Sequence, residues 1–148
     1  MNRIIAIGLT ALISPLLLCI ALLVIFSDGF PFWYSQKKYG LNNKIFNLYK
    51  FRTMKRNTPL KATENFDNAD NFIIMGGHFL RKLSLDELPQ FFNVIKGDMN
   101  FIGPRPSLTK NEDIIHNLRK QKGIHKIKPG ITGWAQVNGR DLNSFEEK

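Results

Sequence analysis

Residues 83–106 read LSLDELPQFFNVIKGDMNFIGPRP. Leu88, Phe91, Phe92 and Ile95 recur at i, i+3, i+4 and i+7, the spacing of a helix that buries one face. Asp86, Gln90 and Asn93 then share the other face. Lys96 followed by Gly97 sets the stop, with a cation in the last turn. Two starts are open. Ser84-x-x-Glu87 is a capping-box pattern, in which Glu87 reaches back to the Ser84 amide. Pro89 weighs against Ser84, because it would then lie beyond the first four amides and delete a helix hydrogen bond. With Asp86 as cap, Pro89 sits in the first turn, where nothing is lost. Either way Asp86 and Glu87 stand at a helix N-terminus, where the dipole favours an anion. A carboxylate held ionised there can serve as nucleophile or metal ligand. The spacing alone does not choose between cap and catalyst.

Upstream, Ile4 to Phe26 is a run of 23 residues without a charge, bounded by Arg3 and Asp28. As a helix it is about 34 Å long, enough for a bilayer core of about 30 Å. It is long for a signal peptide and no small-x-small cleavage site comes after it. Ser14-Pro15 falls in its middle. That allows either a kinked spanning helix or a helix-break-helix that enters and leaves on one face. Between Lys37 and Lys61 there are eight Lys or Arg and no acidic residue. After a membrane segment, this tract places the downstream domain on the cytoplasmic side and against anionic lipid. The membrane segment accounts for the net charge of +9, and a nucleic-acid partner is not expected. The single cysteine, Cys19, excludes a disulfide framework and a cysteine-based metal site.

Phe32–Lys38 and Ile45–Arg52 read as two strands around Gly40-Leu41-Asn42-Asn43. Lys50 and Arg52 are two apart and project from one face, with Phe51 on the other. Two aligned cations suit a diphosphate. Met75, Phe79 and Leu83 have helical spacing. Gly103-Pro104-Arg105-Pro106 restricts the backbone around Arg105 and presents its guanidinium with little freedom. A helix is expected from Ser107 or Thr109 to about Gln121, then a strand-like run over Ile131–Val137 and a tight turn at Asn138-Gly139. His78, His116 and His125 have no ligand-like spacing and read as structural.

SLDELPQFFNVIKGDMNFIGPRP, preceded by YKFRTM at 49–54 and followed by KPGITGWAQVNGR at 128–140, closely resembles the bacterial sugar transferases. These are monotopic phosphoglycosyl transferases, which start glycan assembly on polyprenyl phosphate. The resemblance implies an α+β fold: an N-terminal re-entrant membrane helix hairpin with a small cytoplasmic α/β catalytic domain at the membrane interface. Residues 1–28 are then the membrane-inserted helix-break-helix and 29–148 the catalytic domain. It further implies transfer of a sugar 1-phosphate from a UDP-sugar to polyprenyl (undecaprenyl) phosphate, with release of UMP. The product would initiate an exopolysaccharide, capsule, O-antigen or glycoprotein glycan.

By the same resemblance Asp86 is the nucleophile and forms an aspartyl phosphosugar, Glu87 holds Mg²⁺, and Arg52, Arg81 and Arg105 bind the substrate phosphates. Arg52 is preferred over Lys50 on this ground. Membrane lipid is a further expected partner, a homodimer is allowed, and the location is the bacterial inner membrane with the catalytic domain facing the cytoplasm. This chain departs from relatives at Phe72-Ile73-Ile74, where they usually carry an arginine-hydrophobic-threonine element, and at Lys38, where they usually have arginine. Relatives also continue past the position of Lys148. The chain is therefore expected to lack a C-terminal part. The alternative to an enzyme is a non-catalytic membrane-bound remnant that binds nucleotide sugar or a partner transferase.

Overall fold

A computed structural model describes residues 1–58, 69–107, 117 and 119–137. The elements in chain order are α1 (Asn2–Leu12), α2 (Ser14–Asp28), β1 (Trp33–Tyr39), β2 (Ile45–Phe51), α3 (Gly77–Lys82), α4 (Gln90–Lys96), β3 (Asn100–Ile102) and β4 (Gly130–Thr132). Helical turns occupy Leu41–Asn43, Ala69–Phe72, Leu85–Glu87, Ile124–Lys126 and Trp134–Val137. The content is mixed helix and strand in a small protein. Contacts divide it into two compact units. One comprises the described residues of Met1–Ala11, Ser35–Tyr49 and Gln90–Lys148; the other, Leu12–Tyr34 and Lys50–Pro89.

The apolar leader is broken where the sequence says it should be. Pro15 has no N–H and its ring clashes with the carbonyl four residues back, so the first helix stops. In the second helix Pro15 lies in the first turn, where its fixed φ is already helical. The two helices are bent by 63° at the break. No single helix among the described residues is long and apolar enough to cross a membrane; by length and composition the bent pair meets that requirement together.

β1 and β2 pair in a two-stranded sheet, at the positions the sequence predicts. Asn42 and Asn43 take left-handed backbone angles in the connection, a conformation asparagine tolerates. The second sheet is parallel, with Asn100 opposite Gly130 and Ile102 opposite Thr132. β3 has no counterpart among the sequence expectations. The expected strand over Ile131–Val137 is corrected: it ends at Thr132, and Trp134–Val137 is a helical turn. A run this short alternates too few times to separate strand from helix. Residues 108–116 and 118 of the expected helix lie outside the described residues, although 119–121 are helical. The expected turn at Asn138-Gly139 also lies outside them.

In the unit containing Gln90, the core gathers Ala6, Phe46, Leu48, Val94 and Met99, with Ile95, Phe101 and Ile131 against it. The other unit packs Ile20, Ala21, Val24, Phe51, Ile74 and Leu80, with Leu17, Phe32, Leu85 and Leu88 at its border. α1 and α2 thus each bury one side among strands and helices. Their other sides expose Ile4, Leu12, Leu18 and Phe26.

The helix of the 83–106 stretch keeps Leu88 and Ile95 against the cores, as its pattern predicts, but buries polar positions more deeply. Gln90, Asn93 and Val94 are its buried residues, and Phe92 is 46% exposed. The expected polar face therefore points inward at two positions. The reason is a clamp: Asn93 Oδ1 accepts the Tyr49 backbone N–H at 3.1 Å, and Asn93 Nδ2 donates to the Asn47 carbonyl at 2.7 Å. The Asn93 carbonyl also accepts Gly97 N–H at 3.0 Å, closing the helix at a glycine with φ of 90°. α3 behaves similarly, for Leu80 is buried while Met75, Phe79 and Leu83 are exposed.

Asn93, itself fully buried, satisfies two strand groups and has both of its own polar atoms paired by them. Leaving each unpaired costs about 1–3 kcal/mol. Asn93→Ala should therefore destabilise the protein by about 3 kcal/mol, read as a lower urea midpoint in detergent, while Phe92→Ser should change it little.

Candidate functional site

The carboxylates sit on the helical turn Leu85–Glu87. Ser84 enters it with φ 56° and donates its N–H to the Arg81 carbonyl at 3.1 Å. That N–H is thus unavailable to Glu87, and Ser84 makes no side-chain cap. The capping box is corrected on both counts, and α4 begins only at Gln90, after Pro89. In a turn of three residues per repeat, positions i and i+3 eclipse. Leu85 and Leu88 accordingly both border the apolar core. Asp86 and Glu87, between them, are held in place and buried.

β2 and its extension supply the facing cations. Phe51 points into the core, which turns its neighbours the other way. Lys50 Nζ lies 2.6 Å from Glu87 Oε1, an ion pair with little exposure on either side. Arg52 is directed to the end of α2. Its Nη2 donates to the carbonyls of Asp28 at 3.1 Å and Gly29 at 2.5 Å. Its Nη1 stands 3.0 Å from Asp28 Oδ2 without hydrogen-bond alignment, so this contact is an ion pair only. Arg81 Nε donates to Thr53 Oγ1 at 2.9 Å.

The structure therefore brings Asp86, Glu87, Lys50 and Arg81 into one electrostatic group. Burial pushes the Asp86 carboxyl above its ordinary value, and the neighbouring Glu87 charge adds to this; the Lys50 ammonium and, less strongly, Arg81 pull it back. Arg52 lies in the same unit but is engaged with α2. Arg105 belongs to the other unit. Its carbonyl accepts Arg119 Nη1 at 2.6 Å, and it borders a hollow of about 30 Å³ with Tyr39, Ser107 and His125. The contact sequence reasoning did not foresee is that of Lys50 with Glu87. The period of two already aimed Lys50 away from the core, but nothing local named Glu87, 37 residues on, as its partner. Thr53, next to Arg52 in the same motif, carried no signal for its bond to Arg81.

Among the described residues no three His, Cys, Asp or Glu gather as a metal cluster. Mg²⁺, however, commonly takes one or two carboxylates and fills its remaining positions with water and substrate phosphate. Asp86 and Glu87 are adjacent hard-oxygen donors, and the raised Asp86 carboxyl shows that the cations present do not fully offset its burial. The donor set fits a divalent ion of that kind.

A family model described as bacterial sugar transferase matches residues 1–148. The UDP-glucose:undecaprenyl-phosphate glucose-1-phosphate transferase of Escherichia coli (strain K12) is 45% identical over 129 residues, covering 86% of this chain and 28% of the relative. The sugar transferase EpsL of Bacillus subtilis (strain 168) is 41% identical over 146 residues, 90% of this chain and 67% of the relative. The UDP-N-acetylgalactosamine-undecaprenyl-phosphate N-acetylgalactosaminephosphotransferase of Aeromonas hydrophila is 40% identical, covering 85% of this chain and 30% of the relative. The chain thus spans about a quarter to two thirds of the length of these relatives.

The raised Asp86 carboxyl has a stability consequence with a definite sign. Its folded-state value lies above the unfolded one, so the native state holds the proton more tightly and is relatively favoured at low pH. That advantage is lost as pH rises through the raised value. In metal-free buffer, Asp86→Asn should therefore raise the Tm at neutral pH. The gain should shrink as pH falls towards the ordinary 3.8. Thermal melts of both proteins across that range check it; a gain that grows on acidification would reverse the sign.

Proposed function

Because this chain belongs to the bacterial sugar transferase family, we propose that it transfers a sugar 1-phosphate from a UDP-sugar to polyprenyl phosphate and releases UMP. The observation that carries this reading is Asp86, buried beside the Lys50–Glu87 pair. It agrees with the relatives' names, which specify undecaprenyl-phosphate sugar-phosphate transfer.

In the proposed route an Asp86 carboxylate oxygen attacks the phosphorus that bears the sugar. The bond from that phosphorus to the bridging oxygen breaks, and UMP leaves with that oxygen and its electron pair. Asp86 is then an acyl phosphate joined to the sugar. An oxygen of polyprenyl phosphate next attacks the same phosphorus. The acyl-phosphate P–O bond breaks, the carboxylate of Asp86 returns, and the polyprenyl diphosphosugar departs. Charge is conserved in both steps. Burial suits Asp86 to this work, because a poorly solvated carboxylate is a stronger nucleophile than a hydrated one. Lys50 holds Glu87 in place and keeps the Asp86 carboxyl from rising further. Arg81, fixed on Thr53, offers its remaining donors to phosphoryl oxygens. Arg105 is retained as a phosphate-binding candidate on the resemblance, and Arg52 acts through the end of α2. Mg²⁺, held by Glu87 and its neighbour, would supply charge neutralisation at the diphosphate.

We place the protein at the bacterial inner membrane. Support comes from the bent apolar helix pair and its exposed leucines, isoleucines and phenylalanines. The exposed Met75, Phe79 and Leu83 add apolar surface next to α3.

Two experiments test this reading. Incubating the purified protein with Mg²⁺ and a UDP-sugar, in the absence of lipid acceptor, should leave a phosphosugar on Asp86 by mass spectrometry. Asp86→Asn should abolish both this adduct and UMP release; normal turnover by Asp86→Asn would sink the covalent route. For topology, reporter tags before Met1 and after Lys148 should both read as cytoplasmic if the pair is re-entrant. A periplasmic signal from the first tag alone would establish a spanning helix instead.

A further inference from the structure

The unit formed by Leu12–Tyr34 and Lys50–Pro89 contains a second feature, separate from the carboxylate turn. It is a hollow of about 480 Å³ lined by Asp28, Lys55, Arg56, Asn57, Asn71 and Phe72. Asp28, the last residue of α2, brings the only negative charge among these residues. That charge is answered from within. Arg52, buried, places Nη1 3.0 Å from Asp28 Oδ2, and the Arg56 backbone N–H donates to the same oxygen at 3.1 Å. Arg56 Nε is 3.8 Å away, and the Arg56 side chain remains more than half exposed. Lys55 Nζ gives one hydrogen bond to the Asn71 carbonyl at 2.9 Å, leaving two of its three donors. With Asp28 matched by Arg52, the charges of Lys55 and Arg56 are in surplus at the mouth. Two cations sharing one lining with Asn57 and Asn71 suit the oxygens of a phosphate.

The surroundings say what carries that phosphate. Phe26, just before the end of α2, is 85% exposed, and Phe30 and Trp33 beyond Gly29 are also exposed. Aromatic side chains of this kind collect at the level of lipid headgroups. None of the three lines the hollow, but all lie within five residues of Asp28, which does. A soluble phosphate makes no use of exposed aromatics there, whereas a phosphate attached to acyl chains does. We propose that the hollow at the end of α2 binds the phosphate headgroup of an anionic phospholipid, with Lys55 and Arg56 on its oxygens and Phe26, Phe30 and Trp33 against its chains. The proposal rests on the protein lying at a membrane. A zwitterionic headgroup fits less well, because its own ammonium competes with Lys55 and Arg56 for the phosphate.

The test is flotation of the full chain with vesicles of phosphatidylcholine alone or mixed with phosphatidylglycerol. The unmodified chain should float with both and bind the mixed vesicles more tightly. Removing two cations at the site, Lys55→Gln with Arg56→Gln, should reduce that preference by about tenfold or more. Asn57→Leu, which removes an amide from the lining without changing the charge, should reduce it several-fold and leave binding to phosphatidylcholine intact. Inorganic phosphate should not displace the mixed vesicles beyond its effect as a salt.

Equal binding to both vesicles would overturn the hollow and leave the membrane location standing. Failure to float with either would overturn both. A preference removed by the double variant but untouched by Asn57→Leu would reduce the site to diffuse attraction and refute it. Displacement by inorganic phosphate alone, with sodium chloride at matched ionic strength inert, would assign the hollow to a soluble ligand.

Discussion

The burial of Phe51 constrains what its two neighbours can do. A strand residue that faces a core forces the residues on either side to face away, and at this point both are long cations. Lys50 meets Glu87 on the carboxylate turn, and Arg52 meets the last carbonyls and the side chain of Asp28 at the end of α2. One apolar side chain therefore fixes the direction of two charges with different partners. Burying those charges is tolerable only because each has a partner: an ammonium on a carboxylate in one case, a guanidinium on carbonyls and a carboxylate in the other.

The carboxylate turn is anchored by equally simple means. Leu85 and Leu88 eclipse one another and fasten the turn to the core, so Asp86 and Glu87 need no packing of their own to stay in place. The cost is electrostatic, since Asp86 is drawn out of water without full compensation. Such imperfect solvation is common where a group must react rather than merely support. Here it falls on Asp86, the residue proposed above as the nucleophile.

How much of this could be read from the residues depends on the distance to the partner. The break at Pro15, the two strands of the hairpin and the stop at Gly97 were legible, because each is decided by backbone chemistry within a few positions. Only part of the face that α4 buries was. Its apolar spacing is regular, yet Asn93 goes inward because the Tyr49 N–H and the Asn47 carbonyl, more than forty residues earlier, need a partner. The outward stripe of α3 misleads in the same way when burial is assumed to follow apolarity. At the candidate site, the motif singled out Asp86 and Glu87 and the period of two aligned Lys50 with Arg52. It could not assign the two cations to their separate partners, because that assignment depends on where Asp28 and Glu87 arrive in space.

The parallel pairing of β3 with β4 joins positions thirty residues apart, Asn100 and Gly130. Gly130 and Gly103 approach so closely there that no side chain could stand at Gly130 without moving backbone. A Cβ at Gly103 would likewise meet the Lys128 carbonyl and the Gly130 amide. The joint therefore has no graded response to substitution: the smallest side chain at either glycine already pushes the two strands apart, so the pairing is kept whole or lost.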